Sequence, residues 1–231
     1  MAGIGDDAAV IQSEKGLVLL CTDHMLEGVH FDLSFHPLKH LGYKAVVSCV
    51  SDICAMNGKP GQILVNLGTS NRFSLEAIEE LYAGIQLACE RYGVDLVGGD
   101  TSASQRGLMI NVTCYGSAKA ETITYRKGAK PNDLLVVTGD VGGAYMGLQI
   151  LEREKKVFLE HPEMQPDLER FDYIVGRQLK PEARVDVIAQ LEELKIVPTS
   201  MIDVSDGIAS ELHQLGAHGK VGLMYMKINC P

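Results

Sequence analysis

The chain reads as an α/β protein with mixed sheets, an α+β arrangement divided into two units near residue 133. Apolar runs of strand length alternate with helical periodicities, yet several strand signals follow one another directly. That favours mixed sheets over a doubly wound parallel one. The turn cluster Lys130-Pro131-Asn132-Asp133 separates a unit over residues 1–133 from one over 134–231. With 231 residues, 46% of them hydrophobic and 22% charged, the chain is long enough for a buried core and ordinary for a soluble globular protein.

The elements follow in order. Residues 16–21 (Gly-Leu-Val-Leu-Leu-Cys) form a buried strand that delivers Thr22 and Asp23 at its end. A helix covers 37–57: Pro37 suits its first turn, Leu38, Leu41, Ala45, Cys49 and Met56 recur at helical spacing, and Gly58 and Pro60 stop it. Asp52 lies on the flank of that stripe, beside Ala45, Ser48, Cys49 and Ala55, small neighbours that leave room for a hydrated ion. Residues 62–67 make the next strand. Ser74 reads as an N-cap with Phe73 and Ile78 as a hydrophobic staple. Glu76, Glu79 and Glu80 complement the dipole of the helix it opens, which runs to about Arg91. Val94–Val97 is a short strand ending at Gly98-Gly99-Asp100, and Leu108–Tyr115 is another.

In the second unit, Leu134–Thr138 reads as a strand, followed by a glycine-rich turn and a helix through about Leu151. The charged stretch 152–170 makes helical surface with an exposed loop around Pro162. A helix over 182–195, a strand over Ser200–Val204, a helix over Asp206–Leu215 and a strand over Val221–Ile228 complete the expectation.

Composition excludes several functions. A net charge of −9 with no basic block argues against nucleic acid as partner. No apolar run approaches the ~20 residues of a membrane span, and no basic-then-apolar leader opens the chain, so a cytoplasmic protein is expected. The six cysteines contain no C-x-x-C pair and read as buried reduced thiols. No Walker A motif, no Ser-His-Asp arrangement and no histidine-cysteine cluster of zinc type is visible. Gly139–Gly147 imitates a dinucleotide fingerprint but misses its glycine spacing, and reads as a strand-to-helix turn.

What remains is a set of aspartates in short signatures: Asp7 in Gly-Asp-Asp, Asp23 in Thr-Asp, Asp52 in Ser-Asp, Asp100 in Gly-Gly-Asp-Thr, and Asp203 and Asp206 in Asp-Val-Ser-Asp-Gly. Most stand where an apolar run stops or a helix begins or ends. Gathered by a fold, such carboxylates would repel one another unless cations lay between them, and hard oxygen ligands of this kind suit magnesium and a nucleotide's phosphates. Singly, each has a plainer reading: Gly-Gly-Asp as a turn, Asp206 as an N-cap, Arg126 as solvated charge instead of a phosphate grip, His30 as a structural histidine.

Together and in this order, the motifs resemble the thiamine-monophosphate kinase family, in the superfamily of aminoimidazole ribonucleotide synthetase. The likeness is carried by Gly3–Val10, Thr22-Asp23, Glu27-Gly28-Val29-His30-Phe31, Tyr43-Lys44-Ala45, Ser51-Asp52-Ile53, Gly98–Thr101, Arg126–Pro131 with Asp133, and Asp203–Gly207. The resemblance implies direct transfer of the ATP γ-phosphoryl group to thiamine monophosphate, chemistry that needs positioning and charge neutralisation and no assigned general base. It implies that Asp7, Thr22, Asp23, Asp52, Asp100, Asp203 and Asp206 hold several magnesium ions. Tyr82, Gly99, Asp100, Arg126 and Ser205 would contact ATP, and His30 the thiamine phosphate. The implied architecture has two domains, with N-terminal sheets paired into a barrel across a homodimer.

The chain departs from that pattern at Cys21, where Ser or Thr is expected and where sulfur is a poor magnesium ligand. The family's helical segment before Gly3 and its Gly-Gly-Glu-Asp-Tyr-Glu segment after Pro231 lie outside the sequence, so nucleotide binding with weak or absent turnover is the expectation. The alternatives are an amide-activating ATPase of the same superfamily and a non-catalytic nucleotide-binding assembly module.

Overall fold

The computed structural model describes residues 4–14 and 16–224. Its centre is a five-stranded mixed sheet of β1 (Ala9–Ser13), β2 (Gly16–Leu26), β3 (Lys59–Thr69), β4 (Asp95–Ala103) and β5 (Met109–Ala118), in the order β1-β2-β5-β3-β4. β3 and β4 run parallel, joined by a helical crossover, and the other neighbours run antiparallel. The expected mixed sheet is therefore present. Its strands exceed their apolar runs: β2 continues to Leu26, so Thr22 and Asp23 lie within it and not at its end. β4 likewise carries Gly98, Gly99 and Asp100 inside the ladder.

Two helices, α1 (Leu38–Ala55) and α2 (Leu75–Tyr92), cover one face of the sheet. Pro37 is the N-cap of α1 and not part of its first turn. Ser74 caps α2 as expected, its Oγ accepting from the Ala77 N–H at 3.3 Å, and Gly93 closes the helix in the left-handed conformation with φ 64°. The helices touch backbone to backbone. A Cβ at Gly42 would stand 2.0 Å from the Leu81 carbonyl oxygen, and one at Gly84 only 1.8 Å from that of Lys39. The main core lies between these helices and Leu19, Ile63, Val65, Ile110 and Val112 of the sheet. The opposite face stays open, with Leu20, Leu64 and Tyr115 about two-fifths exposed.

Beyond residue 133 the regular elements among the described residues are all helical: α3 (Gly143–Glu160), a 3-10 turn over Glu169–Phe171, α4 (Asp172–Leu179), α5 (Val185–Leu194) and α6 (Ile208–Gly219). α3 and α4 share a small apolar cluster of Ile150, Leu151, Val175 and Leu179. Hydrogen bonds tie this part to the first: Glu182 Oε2 accepts from Tyr92 Oη at 2.7 Å and Tyr43 Oη at 3.2 Å, and Lys44 Nζ donates to the Gln178 carbonyl at 3.1 Å.

Several expectations are corrected. Leu134–Thr138 and Ser200–Val204 are not strands: both are apolar, but neither has a neighbouring strand to complete its backbone hydrogen bonds. Leu134 and Val136 stand largely exposed. Of the expected strand over Val221–Ile228, residues 221–224 lack strand structure, and the rest lies outside the described residues. β1 and α4 were not anticipated.

Candidate active site

Three carboxylates from distant parts of the sequence converge beneath the sheet. One oxygen each of Asp7, Asp52 and Asp203 lies within 4.8 Å of the others. Asp7 comes from the turn that leads into β1, Asp52 from the last turns of α1, and Asp203 from the loop that leads into α6. Asp23, on the helix-facing side of β2, acts on the same group electrostatically. Ser51, beside Asp52, donates its Oγ to Asp203 Oδ2 at 2.7 Å.

The electrostatics are those of crowded anions out of water. Burial, then the neighbouring carboxylates Asp23, Asp203 and Asp7, push the Asp52 carboxyl up to about 8. Burial raises Asp7 to about 6 even though Arg126 opposes the shift, and it raises Asp23 and Asp203 as well. Arg126 Nη2 donates to Asp7 Oδ1 at 2.5 Å in a pair whose carboxylate side chain is only 3% exposed. Asp6 holds the loop by accepting from the Arg126 backbone N–H, at 3.1 Å through Oδ1 and 3.2 Å through Oδ2.

That single arginine does not satisfy the cluster. Asp7 Oδ2 and Arg126 Nε are buried without a hydrogen-bond partner. A buried carboxylate oxygen left open costs free energy unless something accepts its charge. Oxygen-only donors, mutual repulsion and that orphaned oxygen fit a hard divalent cation of the magnesium kind.

The other expected residues are distributed as follows. Asp206 and Ser205 lie exposed in the turn before α6. Gly207, not Asp206, is the N-cap, and the Asp206 N–H donates to Glu211 Oε1 at 2.9 Å, so Glu211 closes the first turn. Asp206 still adds to the field on Asp203. His30 sits in the turn after β2, its Nδ1 accepting from the Leu26 N–H at 3.0 Å. Thr22 and Asp100 face the other way. The cross-strand pairs His24–Asn111, Asn111–Asn66 and Asn66–Asp100 place Asp100 on the open face, and alternation along β2 turns Thr22 there too. Thr22 Oγ1 accepts from Asn111 Nδ2 at 3.0 Å, and Ser102 Oγ donates to Asp100 Oδ2 at 3.1 Å. Gly99 presses against β3, where a Cβ would meet the Val65 carbonyl at 1.8 Å, and Tyr82 packs half-buried on α2.

Asp6, Ser51 and Glu211 support the site without having been singled out in the sequence. Only the adjacency of Asp6 to Asp7 and of Ser51 to Asp52 signalled the first two. No helix among the described residues is long and apolar enough to cross a membrane.

Comparison with known proteins adds a lineage. Residues 5–118 match the family model for the AIR synthase related protein, N-terminal domain. The thiamine-monophosphate kinase of Bacillus subtilis is 35% identical over 230 residues, covering 99% of this chain and 68% of that protein. The Aquifex aeolicus thiamine-monophosphate kinase is 31% identical, covering 99% of this chain and 69% of its own length. Among solved structures, AaThiL complexed with AMPPCP and TMP superposes with a TM-score of 0.81 at 31% identity, covering 94% of this chain and 65% of that one. The hydrogenase maturation protein HypE of E. coli, 17% identical with a TM-score of 0.63, shares the fold alone. The chain thus spans about two thirds of the length of its kinase relatives.

Proposed function

Because this chain belongs to the thiamine-monophosphate kinase family, we propose that it transfers the γ-phosphoryl group of ATP to thiamine monophosphate. The observation that carries the reading is the convergence of Asp7, Asp52 and Asp203 around one unsatisfied carboxylate oxygen. The relative named as complexed with AMPPCP and TMP supports an ATP-like donor and that acceptor.

Asp7, Asp23, Asp52 and Asp203 would hold magnesium ions, with Asp206 at the rim. Bound there, magnesium supplies charge neutralisation to the phosphates in flight. Arg126 is the mobile partner: once a cation compensates Asp7, its guanidinium is free to fork onto a phosphate. Ser205 lies exposed beside Asp206, placed to meet the nucleotide, and His30 is assigned to the acceptor's phosphate. Nothing here acts as nucleophile, so catalysis rests on orientation and charge, with the acceptor phosphate attacking in line.

Two coarser features extend the reading. Residues 1–133 form the nucleotide-binding and pairing unit, and 134–231 a second unit. The open sheet face, with Leu20, Leu64 and Tyr115 exposed, is the surface through which two copies pair. Thr22, Gly99 and Asp100 belong to that sheet, where Thr22 and Asp100 would offer further magnesium ligands and Gly99 and Asp100 would contact the nucleotide.

The test is product formation: purified chain, magnesium-ATP and thiamine monophosphate, with thiamine diphosphate quantified by chromatography. Product from the parent supports the assignment and overturns the expectation of weak or absent turnover, and at least about 100-fold less is then expected from Asp52→Asn, a loss of the size found when one charge-stabilising group is removed. ATP cleavage indifferent to thiamine monophosphate would refute the assignment.

A further inference from the structure

We propose that Cys21, Cys49 and Asp52 form a binding site for a soft divalent ion of the zinc class, built into the core beside the carboxylate cluster. Cys21 Sγ and Cys49 Sγ lie 3.4 Å apart, and both lie within 4.8 Å of an Asp52 oxygen. Two sulfurs on one tetrahedral zinc stand about 3.8 Å apart, given a zinc–sulfur bond of about 2.3 Å. The pair therefore needs only a slight opening to take the ion.

The geometry is set by rigid elements. Cys49 and Asp52 are three residues apart on α1 and so share a helix face. Cys21 projects from β2 toward that face, two residues before Asp23 and directly opposite Cys114 on β5. Cys21 is 7% exposed and Cys49 0%, so water is excluded on the sulfur side, while Asp52 opens toward the carboxylate cluster and supplies the entry. Two sulfurs and one oxygen make a three-ligand set with a fourth position open. Sulfur also selects against magnesium, which keeps to the oxygen side of Asp52.

Without metal both thiols keep their protons: Cys21 Sγ donates to the Cys49 carbonyl at 3.2 Å, and Cys49 Sγ to the Val112 carbonyl at 3.3 Å. Loading releases the two thiol protons, and the Asp52 proton where that carboxyl is protonated, to solvent, and a lone pair from each sulfur and from an Asp52 oxygen forms a bond to the ion. No oxidation state changes. The site was invisible in the sequence because its ligands come from a strand and a helix 28 residues apart.

Cobalt(II) is the probe. Titrated into the reduced full chain, it should give sulfur-to-cobalt charge-transfer absorption saturating near one equivalent and bleached by zinc. Cys21→Ser and Cys49→Ser should each weaken cobalt binding about 100-fold, and Asp52→Asn about tenfold with the sulfur bands kept. Cys89→Ser, a thiol on α2, should leave binding unchanged. No charge-transfer band in the parent, or a band surviving in the Cys21→Ser/Cys49→Ser double variant, would overturn the site; unchanged affinity in Asp52→Asn would overturn its three-ligand form. Should a serine variant unfold, the parent still decides. Zinc should slow alkylation of Cys21 and Cys49 at least about tenfold, as mapped by mass spectrometry, while Cys89 labels at its metal-free rate. Equal labelling with and without zinc counts against it.

Discussion

The Asp52 carboxyl is the most perturbed in the cluster, and its perturbation has a definite sign. Its carboxyl is held up to about 8 in the folded chain, against 3.8 ordinarily. Between those values the folded state binds more protons than the unfolded state, so stability contributed by the protonated group is lost as pH rises through that window. Asp7 adds the same trend between 3.8 and about 6. The metal-free chain should accordingly melt at lower temperature as pH is raised from about 5 to about 8. Magnesium should flatten that profile, since it binds the ionised carboxylates. Differential scanning calorimetry in chelator and in magnesium measures both, and a metal-free melting temperature that climbs with pH would contradict the clustered arrangement. Asp52→Asn should stabilise the metal-free chain near neutral pH by about 1 kcal/mol, less than the full shift because solvent screens the part-exposed site. The same variant should lose most of the rise in melting temperature that magnesium-ATP gives the parent.

At the level of elements, the α1–α2 contact is the least forgiving feature. Gly84→Ala drives a Cβ into the Lys39 carbonyl, backbone against backbone, so the helices must part. A loss of about 2–3 kcal/mol is expected, read from the urea midpoint, the upper range for overpacking. Ser74→Ala should cost about 1 kcal/mol by removing the cap on the Ala77 N–H. The cap was legible in the sequence because it is local: serine, an apolar residue on either side of it, and Glu76 in the first turn. The helical stripe of α1 was legible for the same reason. Leu134–Thr138 was misread because an apolar run announces burial, whereas a strand exists only where a neighbour offers hydrogen bonds. The plainer reading of Asp206, an N-cap, does not hold: Gly207 takes that place and Glu211, a turn inside the helix, satisfies the Asp206 N–H.

For the whole molecule, the pleat decides what the motifs could not. Thr22 and Asp23 are adjacent in sequence but face opposite sides of β2, and Asp100 shares the open side with Asn66 and Asn111. The aspartates could be recognised from their signatures, while their division between two faces required the register. If the open face pairs two copies, Leu64→Glu should move the light-scattering mass from dimer to monomer while leaving the far-ultraviolet circular dichroism unchanged. A monomeric parent would rule out that use of the face. The order β1-β2-β5-β3-β4 also bears on how the chain is made. β2 and β3 precede β5 in synthesis, yet neither touches the other; β5, ending at Ala118, fills the gap between them. Until that segment leaves the ribosome, both strands expose a bare edge able to pair with another nascent chain. The central strand is the last of the sheet to be translated, so the polypeptide is most vulnerable to aggregation during its own first half.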